Sequence, residues 1–437
     1  MHLIALNIPD LLLGLWRGTL DCERPDDRST WDWAVLRGET WKTHGEVVGK
    51  TLPYLPGSFD RPPRDPAEKL NSGYKAWEFL LYIFGMGPAL FYNVLPERYW
   101  QNFCQLVAAV RILHQRKITR TQLKHVYQLI LEFTKTFENL YYCARQERIH
   151  FCRQSIHALW HISWEVIHVG PPVYYTQWTM ERTIGNLGEE IKQPSNPYKN
   201  LSEQGLRRAQ ENALKAMIPA LAEGKDDTDT YRLPRGAIDI GGGYTLLRAR
   251  EEVLHHIPGP EAVAFQRFLS NADNFTEGWD GKATKWARLR LPNEQIACSA
   301  WKENLKPLNK IRTAQNVKVN TSNVIYVWDS FIRFAEVQYY FCASVQRQMV
   351  ILAMVSMYSQ PDSDLLERSH NMVWVFKYPE SLSLRVVEVK NIVSVVAMIP
   401  VPHSLGMPQN GQYFFLVEKP GLDVAWLGGA VETIIEE

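Results

Sequence analysis

The spacing of the apolar residues changes once along this chain, from a helical to a strand-like period. Between Thr121 and Tyr142 apolar residues recur every three or four positions, which is typical of the buried face of a helix. From about Asn323 they form short alternating runs separated by turn residues, which is typical of strands. The sequence therefore predicts an α+β protein, mostly helical over its first two-thirds and ending in a small β-rich, barrel-like domain.

The same change of period predicts three parts. Residues 1–222 are expected to be helical, residues 223–320 to form a linker and a basic mixed region, and residues 321–437 to form the β-rich domain. The polar run Lys225–Arg235 is the expected flexible connection. A chain of 437 residues is long enough for two or three domains, each with its own core.

Composition narrows the class of protein. A hydrophobic content of 46% excludes wholesale disorder, and a net charge of +1 argues against a polybasic protein. The 15 Trp, 19 Tyr and 17 Phe predict an aromatic-rich interior. The apolar stretch Phe79–Leu95 contains two Gly and a Pro, so it is expected to be a buried helix–turn–helix rather than a membrane span.

The cysteines point to a reducing compartment. None of the six forms a CxxC pair, so the sequence indicates neither a zinc ribbon nor a disulfide scaffold. We expect a nuclear or cytoplasmic protein that is not secreted and has no membrane partner.

The segment from His157 to Asn186 holds the first candidate site. Glu181 and Arg182 follow the Gly170-Pro171 break and lie at the start of a new helix. A carboxylate in the first turn of a helix can project into a cleft, and Mg²⁺ prefers carboxylate oxygen. The alternative is an ordinary surface Glu–Arg pair near a helix start.

Two histidines of this segment suggest a second hypothesis. His157, His161 and Glu165 lie at i, i+4 and i+8 on one predicted helical face, and two His at this spacing can bind zinc. No general-base Glu lies beside the first His, so packed, hydrogen-bonded histidines are the alternative. The glycine run Ile240–Tyr244 lacks the spacing of a phosphate loop and predicts a β-turn.

A basic region follows the predicted linker. Between Gly281 and Lys318 the chain has nine Lys or Arg and two Glu, with Trp286 and Trp301 among them. Cations beside aromatic rings suit phosphate contact and base stacking. A solvated basic face is the alternative. The candidate DNA-binding residues are Lys282, Lys285, Arg288, Arg290, Lys302, Lys306, Lys310 and Arg312.

The motif around Glu181 resembles one found in CACTA (En/Spm-like) DNA transposases. That motif has the form H-L-x-x-E, then G-P, then R-W-M-Y-P-x-E-R-x-x-G. This sequence differs from that motif in two ways: Gln177 stands in place of the Arg, and the Tyr-Pro pair is missing. The chain is also similar to transposase-like proteins of basidiomycete fungi over nearly its full length, as in Leu55–Pro63 and Phe415–Pro420. The residues matching the motif are His2, His157, His161, Trp178, Glu181, Arg182, Gly185 and Asn186.

The resemblance implies a ribonuclease H-like catalytic domain in which two aspartates and a glutamate hold two Mg²⁺ ions. Glu181 matches the third acid, and Met1-His2 resembles the end of an Asp-x-Met-His motif. The two aspartates would then lie upstream, and this chain would be the C-terminal portion of the transposase. One carboxylate cannot hold two divalent ions about 4 Å apart, so we expect no stable Mg²⁺ site and no cleavage by this chain alone.

Three functions follow as hypotheses. The first is a transposase remnant that binds DNA. The second is a non-enzymatic interaction or regulatory protein built on the same scaffold, with a full-length transposase as a candidate partner. The third is a zinc hydrolase using His157, His161 and Glu165. If neighbouring strands are missing, the chain is also expected to expose apolar surface and to oligomerise.

Overall fold

The computed structural model of the chain describes residues 2–59, 61–70, 73–190, 195–218, 221, 233–251, 253–257, 259–271, 281–320, 332–345, 348–379, 383–402, 406 and 411–419. The predicted strand Val324–Trp328 and most of the predicted connection Lys225–Arg235 lie outside these residues. The protein is mixed α and β with antiparallel sheets, as predicted.

The first half of the chain is helical. Three short π-helical segments, Leu3–Asn7, Leu80–Met86 and Glu138–Tyr142, are continuous with the α-helices beside them. In the described part of the chain, no helix is both long and apolar enough to cross a lipid bilayer. The helices are α1 (Ile8–Arg17), α2 (Gly38–Gly49), α3 (Pro66–Lys69), α4 (Ala76–Phe79), α5 (Gly87–Leu90), α6 (Glu97–Leu113), α7 (Arg120–Phe137), α8 (Gln154–Val169), α9 (Trp178–Glu190), α10 (Pro197–Met217), α11 (Gly259–Asn271), α12 (Ala300–Glu303) and α13 (Ser363–Arg368).

Helix α7 confirms the predicted apolar stripe. Its N-terminus is held by a capping box in which Thr119 Oγ1 accepts from Gln122 N and Gln122 Oε1 accepts from Thr119 N. Val126, Ile130 and Phe133 are buried at helical spacing. These residues pack α7 against α6 and α8, so the helix is fixed by its local caps and by its buried face.

Aromatic side chains fill the helical core, as the composition predicts. Trp16 is fully buried, and its ring lies 4.8 Å from Phe91 and 5.1 Å from Phe103 between centroids. Its Nε1 donates to the hydroxyl of Tyr141 at 3.0 Å, which satisfies the one polar atom of the indole.

The strands begin at residue 238. They are β1 (Ile238–Gly241), β2 (Tyr244–Arg250), β3 (His255–His256), β4 (Lys282–Ala283), β5 (Lys285–Arg290), β6 (Ile296–Cys298), β7 (Asn316–Asn320), β8 (Ile332–Val345), β9 (Gln348–Met357), β10 (Val375–Lys377), β11 (Leu384–Glu388), β12 (Ile392–Val395), β13 (Ala397–Pro400) and β14 (Tyr413–Val417). The predicted glycine turn joins β1 to β2, where Gly241, Gly242 and Gly243 all have positive φ.

A nine-stranded sheet is built around β8 in the described part of the chain. Its main path runs β1-β2-β5-β8-β7-β12, while β9 pairs β8 and β11, and β6 pairs β5. One face buries Trp286, Tyr340 and neighbouring aliphatic residues. Helix α11 covers part of the other face, where Phe265 packs on Phe341 with 5.5 Å between ring centroids.

Among the described residues the nine-stranded sheet is open, so the expected closed barrel is not formed there. The segment before β6 contacts β12 through a side chain, since Gln295 Oε1 accepts from Val395 N at 2.9 Å. At this point a side-chain hydrogen bond takes the place of the strand pairing that a closed barrel needs.

The predicted boundary at residue 321 passes through this sheet. Strand β5, in the predicted linker and basic region, pairs with β8, where Trp286 lies opposite Tyr340. A second sheet, β10-β14-β13, contributes Phe415 and Val417 to the helical core. Residues far apart in sequence thus share one sheet or one core, which periodicity within a short window cannot reveal.

A neutral histidine is buried in the helical core. His44 is 5% exposed and stacks on Phe91 with 4.7 Å between ring centroids. Its Nε2 lies 2.8 Å from the hydroxyl of Tyr82. Burial lowers the pKa of His44 to about 3, so the folded protein keeps this ring neutral in mild acid.

We expect His44 to make the fold acid-sensitive. Below its ordinary pKa of 6.5 the unfolded chain binds a proton that the folded chain excludes until about pH 3. The free energy of unfolding should therefore fall by up to about 1.4 kcal/mol for each pH unit across this window. Urea unfolding of wild type and His44→Gln between pH 4.5 and 7 measures this free energy. The advantage of the wild type over the variant in free energy of unfolding should shrink as the pH falls. A stability difference between the two proteins that stays constant across this pH range would contradict this assignment.

Candidate functional site

The predicted histidine pair lies on the surface of α8. The Nε2 atoms of His157 and His161 are 3.1 Å apart and both rings are exposed, as the i, i+4 spacing requires. Glu165 is also exposed, one turn further along. The described residues nevertheless contain no group of three or more His, Cys, Asp or Glu placed to hold a metal ion. The structure thus brings the two imidazoles together without a third ligand.

A short connection separates α8 from α9. Gly170 ends α8 with φ of 85°, a value that favours glycine, and Pro172–Tyr174 forms a single 3₁₀ turn. Helix α9 then begins at Trp178, close to the predicted start. Glu181 lies in its first turn and is exposed, and its backbone N–H donates to Gln177 O at 2.9 Å.

Trp178 attaches the start of α9 to the helical core. Its ring stacks on Trp77 of α4 with 4.4 Å between centroids and 28° between planes. Glu181 is therefore about one helical turn from a residue that is packed against the helical core. The motif tryptophan therefore has a structural role that the sequence pattern did not indicate.

The other motif residues show no packing role among the described residues. His2 and Asn186 are exposed, and a Cβ added to Gly185 would meet no atom within 4 Å, so packing does not require glycine there. Arg182 lies in α9, and its side chain is outside the described part of the structure.

Large apolar side chains are exposed on α8 and α9. Met180 and Ile184 lie four residues apart on one side of α9 and are 51% and 55% exposed. On α8, Trp164 and Ile167 are 59% and 60% exposed. We call these four residues the α8–α9 apolar face. Large apolar side chains left uncovered in this way are typical of a surface that contacts another polypeptide.

Two adjoining depressions lie at the other end of α8. They have volumes of about 430 and 400 Å³ and share Asp10 and Phe79 in their walls. Arg153 Nη1 donates to Asp10 Oδ2 at 2.7 Å, so the charges in the first depression are paired. Asp10 and Arg153 are far apart in sequence, and no motif connects them.

Part of the predicted DNA-binding set contributes to the fold. Arg312 donates to the carbonyl oxygens of Leu55 and Pro56 at 2.9 and 2.7 Å, which binds the Pro-rich loop to the sheet region. Arg290 forms an ion pair with Glu294. Both guanidinium groups are therefore already held by protein atoms.

The remaining cations differ in exposure. Lys285 and Arg288 are half-buried, and the Nζ of Lys285 lies 4.3 Å from the ring centroid of Tyr339. Four lysines are exposed, and one of them, Lys302, lies over the ring of Trp301 at 4.2 Å. The exposed lysines are Lys282, Lys302, Lys306 and Lys310.

One carboxylate lies within this basic region. Burial raises the pKa of Glu303 to about 7, although its Oε2 accepts from Ala314 N at 3.0 Å. In the sequence Glu303 is only one of the two Glu in the basic region, and the local pattern does not distinguish it from Glu294.

Comparison with known proteins found no match: no protein-family model, no curated protein and no solved structure matches the chain.

Proposed function

We propose that this chain is the C-terminal portion of a CACTA-type transposase, which associates with DNA in the nucleus and does not cleave it alone. The observation that carries the proposal is the position of Glu181. It is exposed in the first turn of a helix that follows a Gly-Pro break, and the apolar side chain of Ile184, three residues further along the same helix, is exposed as well. The motif match to CACTA-type transposases agrees with this position.

In this proposal α8 and α9 belong to a ribonuclease H-like core. Their apolar face packs on a sheet that carries two aspartates, so that Glu181 becomes the third carboxylate of the site. The exposure of Trp164, Ile167, Met180 and Ile184 supports the proposal, because apolar side chains of this size are stabilised by being covered.

The described residues do not fit a two-Mg²⁺ site by themselves. Glu181 belongs to no group of three or more potential ligands among them. Two divalent ions need several anionic ligands to offset their mutual repulsion. No step of DNA cleavage is therefore assigned to this chain.

Cleavage assays on labelled duplex DNA with Mg²⁺ or Mn²⁺ test this part of the proposal. We expect no product from the wild type or from Glu181→Ala. Product that forms with the wild type and disappears with Glu181→Ala would show that other carboxylates complete the site, and the proposal of an inactive chain would be wrong.

DNA association is proposed to involve the exposed lysines of the basic region. Replacing Lys302, Lys306 and Lys310 together by Glu should weaken binding to a labelled duplex roughly 100-fold near 0.1 M salt, because counterion release by three phosphate contacts is lost. The slope of log affinity against log salt should become shallower by about 2 to 3. Fluorescence anisotropy at several salt concentrations measures both quantities.

A matched variant controls for net charge. Lys42, Lys50 and Lys69 are exposed on α2 and α3 and already lie near Glu39, Glu46 and Glu68. Replacing these three by Glu changes the net charge equally and should leave most of the duplex affinity. Equal losses in both triple variants would mean that overall charge, and not a surface at residues 302–310, controls binding.

The α8–α9 apolar face also favours a second function, a non-enzymatic interaction protein. Sedimentation velocity after nuclease treatment distinguishes this interaction protein from the DNA-associated transposase portion proposed above. Self-association or complex formation that survives nuclease and is lost in Ile167→Glu/Ile184→Glu supports the interaction protein. A monodisperse monomer contradicts it, together with the expected oligomerisation.

A further inference from the structure

The corner between α6 and α7 carries cations outside the basic region already described. Between Glu97 and Glu132 the chain has six Arg or Lys and no Asp or Glu. Four of them form what we call the corner cluster. In a chain with a net charge of +1, this is a strong local excess of positive charge. The corner cluster consists of Arg116, Lys117, Arg120 and Lys124.

The corner cluster has no partner within the described part of the protein. Lys117, Arg120 and Lys124 are exposed, and none of the four side chains forms an ion pair or hydrogen bond with another described residue. Arg116 is half-buried, and its Nε is buried without a hydrogen-bond partner among those residues. A buried donor without an acceptor is unfavourable, so this guanidinium is placed to gain from an anion.

The position of the cluster on α7 is unfavourable in the unbound fold. The N-terminus of a helix carries positive partial charge and favours acidic side chains, yet the first turn of α7 contains none. Arg120 and Lys124 are four residues apart on one face, where like charges repel. A bound anion would reverse both effects, since it would meet the helix dipole and the cations together.

An aromatic ring continues the same face of α7. Tyr127 lies three residues after Lys124 and seven after Arg120, which places the three on one side of the helix. Its side chain is 41% exposed. An exposed ring beside unpaired cations is the combination that contacts a nucleic-acid strand, with cations on phosphates and the ring on a base.

We propose that this corner binds single-stranded nucleic acid. The cations recognise backbone phosphates, and Tyr127 stacks on an unpaired base. A duplex leaves no base face free for the ring, and an acidic peptide or a lipid headgroup offers no base to stack upon. This surface is independent of Glu181 and of Lys302, Lys306 and Lys310.

Anisotropy with a labelled single strand of about 20 nucleotides tests the proposal on the full chain. Replacing Lys117, Arg120 and Lys124 together by Glu should weaken binding roughly 100-fold near 0.1 M salt and make the salt slope shallower by about 2. Tyr127→Ala should weaken binding roughly 5- to 100-fold, while Tyr127→Phe keeps the ring and should remain near wild type. Circular dichroism of each variant shows whether the fold is retained.

Several outcomes would overturn the proposal. One is unchanged single-strand binding in the folded Lys117/Arg120/Lys124 variant, and another is unchanged binding in Tyr127→Ala. A third is displacement of the strand by polyglutamate or phosphatidylserine vesicles at equal charge concentration, which would identify a general anion surface. The Lys302/Lys306/Lys310 variant should keep its affinity for the single strand. The proposal for the corner cluster and the proposal for the basic region can therefore be contradicted independently.

Discussion

Asp26→Ala should lower the free energy of unfolding by about 3–5 kcal/mol, because it leaves a buried guanidinium without its counter-charge. The Asp26 carboxylate is 1% exposed and accepts from Arg148 Nε at 2.8 Å and from Arg148 Nη2 at 2.7 Å. Trp31 Nε1 donates to it at 2.8 Å. The Arg148 side chain is only 6% exposed, so water cannot replace the lost carboxylate. Chemical unfolding of the purified variant measures the change.

Asp10→Ala is the matched control. Asp10 also pairs with an arginine, Arg153, at 2.7 Å, but its side chain is 72% exposed. Its removal should therefore cost less than about 1 kcal/mol. If the two variants lost the same free energy of unfolding, burial would not explain the contribution of the Asp26–Arg148 ion pair to stability.

The Asp26 contribution should also depend on pH. Hydrogen bonds from Arg148 lower the pKa of Asp26 from its ordinary 3.8 to about 2. Because the folded pKa is below the unfolded value, the stabilisation is fully present above about pH 4 and is lost as the pH falls towards 2. The stability difference between wild type and Asp26→Ala should shrink in that range.

Phe415→Ala should lower the free energy of unfolding by about 3–5 kcal/mol, the usual cost of emptying a large core site. Phe415 is fully buried in β14, near the end of the described chain, and belongs to the same core as Trp16 and Phe103. We expect the helical circular dichroism signal to be lost at a lower denaturant concentration, because the strand and the helices share one core.

Val393→Ala provides the comparison. Val393 lies on β12 and is 45% exposed, so its truncation should change stability by less than about 0.5 kcal/mol. If Phe415→Ala left the helical transition unchanged and affected only a separate one, the C-terminal strands would be an independent domain, as the change of hydrophobic period had predicted.

The candidate site shows how far sequence reasoning reached. The spacing of His157 and His161 predicted that they share a face, and their Nε2 atoms are 3.1 Å apart. The Gly-Pro break predicted the new helix that carries Glu181. The stacking of Trp178 on Trp77 could not be predicted, because these residues lie on helices about 100 positions apart. The hydrogen bonds of Arg312 could not be predicted either, because they are made with a loop near residue 55.

The sequence by itself determined the local elements of this protein. Thr119 and Gln122 cap α7, and apolar residues at three- and four-residue spacing bury one side of it. Short apolar runs bounded by turn residues mark β8, β9 and β14. Only the tertiary structure decided that β5 joins β8, that Asp26 meets Arg148, and that Phe415 enters the helical core. The reason is physical. Helical and strand periods are properties of neighbouring residues, whereas pairing and burial depend on which distant surfaces exclude water together.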